Sequence, residues 1–492
     1  MKTRTTIVFL SIVAILSSTA SVSAFSLLED RIKFDGYIKT QFGMWLQDQA
    51  PYGMGANDIN MIRGTLQLET EIKINTQAQL YCVFRGVKET SYDAERGVPD
   101  GFYDETDVRE LFLDADFGSN FHIRFGRQQV VWGEADYQQI LDIINPVDMS
   151  WHFMLEPWED LRIPLYMVRA FYRIPSFLKS SFELIWVPGW DDREDRVNKL
   201  PPSFPPGTAG RWSPHPSNIS MDIGLPIKQN VNYKYPRRTP EDSNVGLRWE
   251  FVLGDFQFAL MDYYTFVYSP IPSLRFPNLN IAGISNLLSN GLTIDMEYPR
   301  FNMTGTSSTY YWDLIGTVIR FDLAYYWDYP YSASKVDELT LLDSIPVTMT
   351  NYFGMQKSDT IKYMIGLDRP TMIRWLNRYS SFMFLGQFIQ TIILDHTDNM
   401  VLTGYSTPID KVQTMISVGG TTSYWHGKLD LVLGGAYDVS GCWLLQSAAT
   451  FKPRDDVRVS LKMNNFWAHS DYDGFGLWRD KDEVLLEALY QF

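Results

Sequence analysis

The chain has few cysteines and no long apolar run. Cys82 and Cys442 are the two cysteines in 492 residues, too few for the disulfide framework of a small secreted domain. We expect two free thiols, because strand alternation puts the two side chains on opposite faces. No stretch beyond the N-terminus approaches the roughly 20 apolar residues of a membrane-spanning helix. These absences exclude a helical membrane protein and a disulfide-built domain.

Basic residues and histidines are also scarce. The chain holds 43 Lys and Arg against 58 Asp and Glu, a formal charge of −15, which argues against nucleic acid as a partner. Its histidines lack metal-ligand spacing; they are His122, His152, His215, His396, His426 and His469. No nucleophile elbow, phosphate loop or Cys-x-x-Cys is present. The sequence therefore predicts no metal, no cofactor and no enzyme activity.

The N-terminus has the order of a secretory signal. Lys2 and Arg4 precede an apolar run at 7–16, and Val22-Ser23-Ala24 supplies small residues for cleavage. Removing residues 1–24 leaves 492 − 24 = 468 residues and, without Lys2 and Arg4, a charge of −15 − 2 = −17. The remaining residues, 25–492, are predicted to form one exported domain.

Polar and apolar residues alternate along much of the chain. From Arg63 to Ile74 the odd positions are mostly charged or polar and the even positions mostly apolar. The same alternation occurs at 110–117 and 457–464. A strand between lipid and a polar lumen requires this pattern. An antiparallel sandwich would also alternate, so the alternation alone leaves both folds open.

The lengths of the connections separate the two folds. Short connections are predicted at 75–77, 118–120, 175–178, 254–255, 312–316, 370–379, 424–427 and 453–455. Long ones fall between them, near 48–60, 89–107, 132–165, 189–243, 269–299, 328–359, 395–411 and 468–481, with one further short connection at 438–441. Outer-membrane barrels have short periplasmic turns and long outer loops. The sequence therefore predicts an all-β transmembrane antiparallel barrel of about 18 strands, with 16 as the alternative and both termini in the periplasm.

The last strand supports a barrel in a Gram-negative outer membrane. Val484, Leu486, Ala488, Tyr490 and Phe492 fall on one face, and the chain stops on Phe492. This end resembles the C-terminal signal read by the barrel-assembly machinery. That machinery, together with outer-membrane lipid and lipopolysaccharide, is an expected partner. Aromatic clusters at 263–266, 310–312, 325–327 and Trp467 are interpreted as the girdles at the two membrane interfaces.

Alternation stops in the segment from Phe125 to Arg162. Residues 135–144 are predicted to form about two helical turns, ended by Asn145-Pro146. We expect residues 132–165 to fold into the barrel lumen as a constriction or plug, and 189–243 to form a long outer loop. The polar residues predicted to hold the inserted loop are Arg127, Glu134, Asp142, Asn145, Asp148, Glu159, Asp160 and Arg162.

Buried charges need partners, so Arg127 and Arg162 are predicted to clamp the loop through carboxylates. Strict alternation points Arg127 toward lipid, and a bulge at Gly126 is the favoured way to re-aim it. Other charged residues are predicted to line the lumen: Arg63, Glu69, Glu71, Arg85, Glu110, Asp114, Arg124, Arg169, Arg173, Arg248, Glu250, Arg320 and Asp322. They form either a polarised channel surface or pairs that satisfy one another across neighbouring strands.

The motifs GRQQVVWGEA, IINPVD and WEDLRIP lie between residues 124 and 165. Together they resemble the proteobacterial outer-membrane family DUF1302. The resemblance implies the same layout along the whole chain. Members of that family are discussed beside resistance-nodulation-division exporters and an outer-membrane lipoprotein-like partner. The resemblance therefore implies traffic of lipid or hydrophobic compounds with periplasmic or inner-membrane exporter components.

Three functions from different classes follow from these patterns. The leading one is an outer-membrane channel, or the outer-membrane component of a transport route, that passes small polar or hydrophobic compounds through a charged lumen. The second is an outer-membrane hydrolase, with His122 as the residue to probe. The third is a plugged structural or docking barrel that serves an exporter or lipid-transport system.

Overall fold

The chain forms a closed β-barrel in the computed structural model. The structure describes residues 25–28, 31–48, 55–89, 103–148, 152, 156–191, 229–274, 281–341, 345–403, 407–469 and 474–492, and the predicted signal peptide lies outside them. The barrel strands, in chain order, are β1 Ile32–Trp45, β2 Ile59–Lys73, β3 Ala78–Glu89, β4 Glu105–Phe117, β5 Phe121–Gln128, β6 Leu165–Ile174, β7 Ser180–Val187, β8 Asn244–Leu253, β9 Phe256–Phe266, β10 Arg300–Trp312, β11 Thr317–Leu341, β12 Ile345–Thr371, β13 Phe382–Ile393, β14 Val412–Tyr424, β15 Leu429–Asp438, β16 Cys442–Arg454, β17 Val457–Trp467 and β18 Glu483–Gln491.

The pairing of β18 with β1 closes the barrel. Its antiparallel register runs from Tyr37 opposite Gln491 to Trp45 opposite Glu483. Each of the other strands pairs with its two neighbours in the sheet. In lipid every backbone amide must be satisfied by the protein itself, and closure leaves no open edge. The closed set numbers 18 strands, which confirms the larger of the two predicted counts.

The alternation produces two faces. Leu111 and Leu113 are exposed on the outer wall, whereas Phe112 and Asp114, which alternate with them, are buried on the inner face. Cys82 lies opposite Leu111 in the register and shares its outer face. Cys442 is fully buried, and both thiols are free. The predicted absence of a bridge between these cysteines is confirmed.

The connections follow the predicted parity, with one correction. Residues 328–359 are not a loop, because β11 and β12 continue as a paired hairpin to Leu341 and Ile345. Each strand exceeds 24 residues, whereas crossing a bilayer takes roughly 9–11. The hairpin therefore projects beyond the membrane. This extension is rich in Ser, Thr and Asp, a composition that predicts a loop. A paired hairpin nevertheless satisfies its backbone hydrogen bonds between its own two strands and needs no apolar face.

The aromatic clusters are divided between the two faces. Tyr264, Tyr311 and Trp467 are exposed on the outer wall, where a girdle belongs. Tyr263 and Tyr326 are fully buried on the inner side. The girdle interpretation therefore holds for the exposed members of these clusters, whereas Tyr263 and Tyr326 belong to the interior.

Smaller elements lie at the end of the barrel with the long connections. A three-stranded sheet is formed by Gln229–Lys234, from the connection before β8, and by Ile271–Leu274 and Leu292–Glu297, from the connection between β9 and β10. Helix Ile281–Asn290 lies in that second connection. Met400–Val401 pairs with β11 at Ser332 and Ala333. Among the described residues, none of the helices combines the length and the apolar character needed to span a membrane.

Candidate functional site: a segment seated in the lumen

The connection between β5 and β6 turns into the barrel interior. We call residues 129–164 the lumenal segment; its described residues are 129–148, 152 and 156–164. The segment is held by apolar packing, by glycines in the wall and by two groups of polar contacts. These contacts come from strands on opposite sides of the barrel, so the segment spans the lumen.

Apolar side chains form the first part of this seat. Trp132, Ile140, Leu141 and Ile144 are each at most 1 % exposed. They belong to one cluster with inward-facing residues of the wall, including Leu165, Met167, Ile185, Met303, Tyr326, Met364 and Ile389. Full burial of such a side chain is worth roughly 1.5–3 kcal/mol. The apolar part of the segment therefore forms one core with inward-facing residues of the wall from β6 to β13.

Glycines in the wall make room for the segment. A Cβ atom added at Gly305 of β10 would lie 2.3 Å from Leu141 Cδ2, and one at Gly246 of β8 would lie 3.0 Å from Trp132. A Cβ at Gly434 of β15 would lie 3.4 Å from the Tyr137 hydroxyl. Because these strands stand on different sides of the barrel, the segment reaches across the lumen.

Polar contacts attach the backbone of the segment to β11 and β13. The Glu134 amide donates to Asp322 at 2.7 Å, and the Glu134 carbonyl accepts from Arg320 at 2.6 Å. Asp136 accepts from Arg320 at 2.9 Å and from Gln387 at 2.8 Å. The predicted helix at 135–144 is wrong, because the wall takes these backbone groups and the chain bends here. The spacing of Ile140 and Ile144 reflects contact with the wall.

Two internal contacts shape the segment. Arg162 donates to Asp142 at 2.5 and 3.0 Å. Burial raises the pKa of Asp142, and the Arg162 charge opposes that rise. The Asn145 side chain accepts from the Val130 amide at 2.7 Å and donates to the carbonyls of Gln128 and Ile163. Arg162 and Asn145 thus join the two ends of the segment.

A second polar group lies where β18 meets β1. We call Lys39, His152, Glu156, Asp160 and Glu483 the seam cluster. The Lys39 ammonium lies 3.3 Å from Glu156 and 3.1 Å from Asp160. The His152 ring lies 3.2 Å from Glu156 and 2.8 Å from Glu483. The side chains of His152, Glu156 and Glu483 are at most 1 % exposed, so the segment's acidic end is held by buried charges.

Within the seam cluster, the pKa of His152 is raised and the pKa values of Glu156 and Asp160 are lowered. Burial alone disfavours each charged form, but Glu483 and Glu156 raise the pKa of His152. Likewise Lys39 and the hydrogen bond from His152 hold the pKa of Glu156 well below its usual range, in spite of burial. Lys39 and Arg85 lower the pKa of Asp160. The cluster is therefore stabilised in its charged forms.

This arrangement predicts a stability maximum in weak acid. The contribution of His152 is complete below its ordinary pKa of 6.5 and is lost as pH rises through the elevated folded value. The contribution of Glu156 is complete above 4.5 and is lost as pH falls through its depressed folded value. The free energy of unfolding should peak between these two ordinary values. Urea titrations from pH 5 to 9 test this, and an equal decline above the maximum in His152→Gln would contradict it.

The structure places the other predicted loop residues as follows. Arg109 donates to the carbonyls of Glu159 and Arg162 at 2.8 and 2.9 Å, so Glu159 acts through its backbone. The amide of Asp148 donates to the Leu161 carbonyl at 3.0 Å. Asp160 also lies 3.1 Å from Arg85 of β3. Asp160 thus lies between charges from two strands.

Among the described residues, the acidic partner of Arg127 is Asp191, which lies outside the lumenal segment. The Arg127 guanidinium lies 4.3 Å from the centre of the outward-facing Tyr166 ring and 3.7 Å from Asp191. The register with β4 is continuous through Gly126, so no bulge is present there. Gly126 instead has a φ of +135°. The alternation is kept, and Arg127 stays on the outer side near the rim, where Asp191 compensates its charge.

Most of the predicted lumen-lining charges are paired across strands. Arg63 pairs with Glu89, Arg85 with Glu105, Arg124 with Asp114, Arg169 and Arg248 with Glu183, and Arg320 with Asp368, whereas Glu250 pairs with Arg248 within β8. Glu69 accepts from the Tyr81 hydroxyl and Glu110 from the Gln129 amide. The side chains of Glu71 and Arg173 have no polar partner among the described residues. Both interpretations apply, because the pairs face the lumen and also satisfy one another.

His122 has a structural environment. Its ring nitrogens lie 2.9 Å from Asp116 and 3.1 Å from Asp114. Carboxylates thus occupy both nitrogens, and neither bonds a serine or threonine hydroxyl. No cluster of candidate metal ligands occurs within the part of the chain that the structure describes.

Several residues of the site were not found by sequence reasoning. Lys39, Gln41 and Arg109 hold the segment from the wall, and Glu483 does so from the last strand. The alternation of β1 carries a signal for Lys39 and Gln41, which are both polar and share one face. Nothing in a single sequence pairs them with Glu156, because more than 100 positions separate them.

The 18 strands close into an antiparallel barrel with exposed apolar residues on its outer wall, the architecture of a transmembrane β-barrel, and a segment lies in its lumen. The chain belongs to the family described as protein of unknown function (DUF1302), which matches residues 6–492. No curated protein matches.

Solved porins resemble the chain in fold at low identity. OccAB3 of Acinetobacter baumannii is 11% identical, with 94% of this chain and 100% of that one covered and a TM-score of 0.48. A BenF-like porin from Pseudomonas fluorescens Pf-5 is 8% identical, with 94% and 99% covered and a TM-score of 0.49. Salmonella typhi OmpF in complex with daunomycin is 12% identical, with 95% and 100% covered and a TM-score of 0.40.

Proposed function

We propose that this protein is an outer-membrane channel in which the lumenal segment sets what passes. The observation that carries the proposal is the seat of that segment, which is built from apolar, glycine and charged contacts on opposite walls. Barrels of this strand number enclose an interior wide enough for an aqueous channel. A segment fixed across such a lumen restricts the passage of solutes.

The two halves of the lumen differ in chemistry. The wall from β6 to β13 is covered by the segment's apolar core. The wall from β14 to β17 instead includes the buried polar side chains of Ser417, Gln446, Ser460 and Asn464, together with the inward Lys462. There Gln446 donates to Asn464 at 3.1 Å, and the hydroxyls of Thr450 and Ser460 lie 2.9 Å apart. We place the passage for small polar compounds along this second wall, bounded by Tyr137 where it meets Gly434.

Reconstitution in a planar lipid bilayer tests the proposal. The refolded protein should give stable current steps, smaller than those of the same barrel with its lumenal segment shortened. A correctly folded barrel that passes no current would contradict a constitutive channel. Heat-modifiable migration on a denaturing gel establishes folding in the same preparation.

A second candidate is a closed docking barrel, favoured by the contacts of the segment with strands all around the lumen. A silent barrel that copurifies with periplasmic or inner-membrane exporter components would support it. For either function we propose export by the signal at 1–24 and assembly through the C-terminal aromatic end. In support of that assembly, the Phe492 amide and carbonyl each bond with Gly36, at 2.9 and 3.0 Å, beside the closing pair of strands.

A further inference from the structure

One lysine of the inner wall has no acidic partner. Lys362 lies on β12 opposite Ala324 and Thr391, two buried inward-facing residues. Its ammonium lies 4.6 Å from the centre of the Tyr326 ring and 5.2 Å from that of Tyr329. Among the described residues, Lys362 has no hydrogen bond and no carboxylate within ion-pair distance.

The surroundings of Lys362 form an aromatic cradle, defined by Phe301, Tyr326, Tyr329 and Tyr331. The Phe301 ring lies 5.5 Å from Tyr326 and 5.1 Å from Tyr329, and Tyr331 lies 5.2 Å from Tyr329. The Tyr326 hydroxyl donates to the Ile140 carbonyl at 2.6 Å. The cradle therefore rests directly on the lumenal segment.

The residues of the cradle differ in how far they are buried. Lys362, Tyr329 and Tyr331 keep part of their surface exposed, whereas Tyr326 and Phe301 are buried. The hydroxyls of Tyr326 and Tyr331 are committed to Ile140 and Thr360. The ammonium therefore faces ring surfaces, and no described residue accepts its hydrogen bonds.

The energetics of an unpaired ammonium point to a ligand. Ring faces attract a cation by roughly 0.5–2 kcal/mol, yet they accept little hydrogen bonding, and an ammonium carries three donors. Two other inward lysines have acidic partners: Lys39 has Glu156 and Asp160, and Lys462 has Glu487 at 3.0 Å. A partly desolvated charge without a counter-charge is costly. Lys362 therefore differs from Lys39 and Lys462 in having no acidic partner among the described residues.

We propose that Lys362 and the aromatic cradle bind an organic carboxylate with an apolar or aromatic body. The carboxylate accepts the hydrogen bonds of the ammonium, and the body lies against the tyrosine rings. A monoanion fits better than a dianion, because one lysine compensates one charge. The inference rests on the proposed function in one respect. It makes such carboxylates the transported solutes, which reach the lumenal segment from the end of the barrel with the long connections.

Equilibrium binding of 2-naphthoate to the full-length folded barrel in detergent tests the proposal, with tyrosine and tryptophan fluorescence as the readout. The wild type should bind 2-naphthoate and should bind the neutral 2-naphthamide at least tenfold more weakly. Lys362→Met should weaken 2-naphthoate binding by about tenfold or more, as expected for loss of a charged hydrogen bond. Lys362→Arg should restore most of the affinity.

Lys357→Met is the matched control, because Lys357 is exposed on the opposite face of the same strand. It should bind 2-naphthoate as the wild type does. Equal affinity of the wild type and Lys362→Met, equal affinity for acid and amide, or no binding by the folded wild type would overturn the proposal.

The conductance measurement is a separate test. A wild type that is silent in bilayers yet binds 2-naphthoate through Lys362 would overturn the channel and keep the site. A conducting wild type without this binding would do the reverse.

Discussion

Deletion of residues 135–160 is expected to raise the single-channel conductance severalfold. The deletion removes Ile140, Leu141 and Ile144, which fill the apolar half of the lumen. It also removes Asp136 and the acidic end that binds Lys39. The barrel wall retains its backbone pairing, because no residue of the deleted range belongs to a barrel strand. Recordings on wild type and deletion variant under one salt condition provide the measurement, and equal step sizes would contradict the account.

A point substitution separates displacement of the segment from damage caused by a large deletion. Gly305→Leu places a side chain where Leu141 now lies, since even a Cβ atom would come within 2.3 Å of it. The variant should show larger or noisier current steps than the wild type. Gly64→Leu on β2 is the matched control, because nothing lies within 4 Å of a Cβ there. A control that behaves like Gly305→Leu would assign the effect to the strand and not to the segment.

Lys39→Met is expected to lower the free energy of unfolding by roughly 3–5 kcal/mol, the usual cost of removing one partner from a buried ion pair. The substitution leaves Glu156, whose side chain is 1 % exposed, and Asp160 without the charge that compensates them. Arg85 still contacts Asp160 at 3.1 Å, so Glu156 bears most of the loss. Urea titration monitored by tryptophan fluorescence measures the change.

Lys33→Met serves as the control, because Lys33 lies on the same strand at the same alternation parity and is less buried than Lys39. Its effect should stay below about 0.5 kcal/mol, as for an ordinary surface substitution. In a double-mutant cycle, Glu156→Gln should recover part of the loss caused by Lys39→Met. Strictly additive effects would show that the two groups do not interact in solution.

Much of the fold is predictable from this sequence, since a barrel leaves two local signals. The residues from Arg63 to Ile74 show the alternation that follows from one lipid face and one lumenal face. The unequal lengths of the connections then separate a barrel from a sandwich. The extension of β11 and β12 beyond the membrane leaves no such signal, because both faces of the hairpin lie outside lipid and the alternation weakens.

The site was predictable only where its contacts are local. The polar segment with Asp142, Asn145 and Arg162 stood out because it interrupts the alternation. The partners of that segment lie on distant strands, and their pairing follows from barrel closure. The predicted helix at 135–144 fails for a related reason: apolar spacing reports burial, and here the wall of the barrel supplies the buried surface. For Arg127 the local pattern was sufficient. Simple alternation predicts the outer side of the barrel, and Arg127 lies there without the bulge that we favoured.

A disulfide between the lumenal segment and the wall tests the central claim most directly. Leu141→Cys and Gly305→Cys are combined with Cys82→Ser and Cys442→Ala, which remove both native thiols. A Cβ at position 305 lies 2.3 Å from Leu141 Cδ2, which brings the two Cβ atoms near the roughly 3.5–4.5 Å that a disulfide needs. The account predicts that this bridge forms in isolated outer membranes and not when Gly64→Cys replaces Gly305→Cys. Two thiols that remain free in the folded barrel would contradict a segment seated in the lumen.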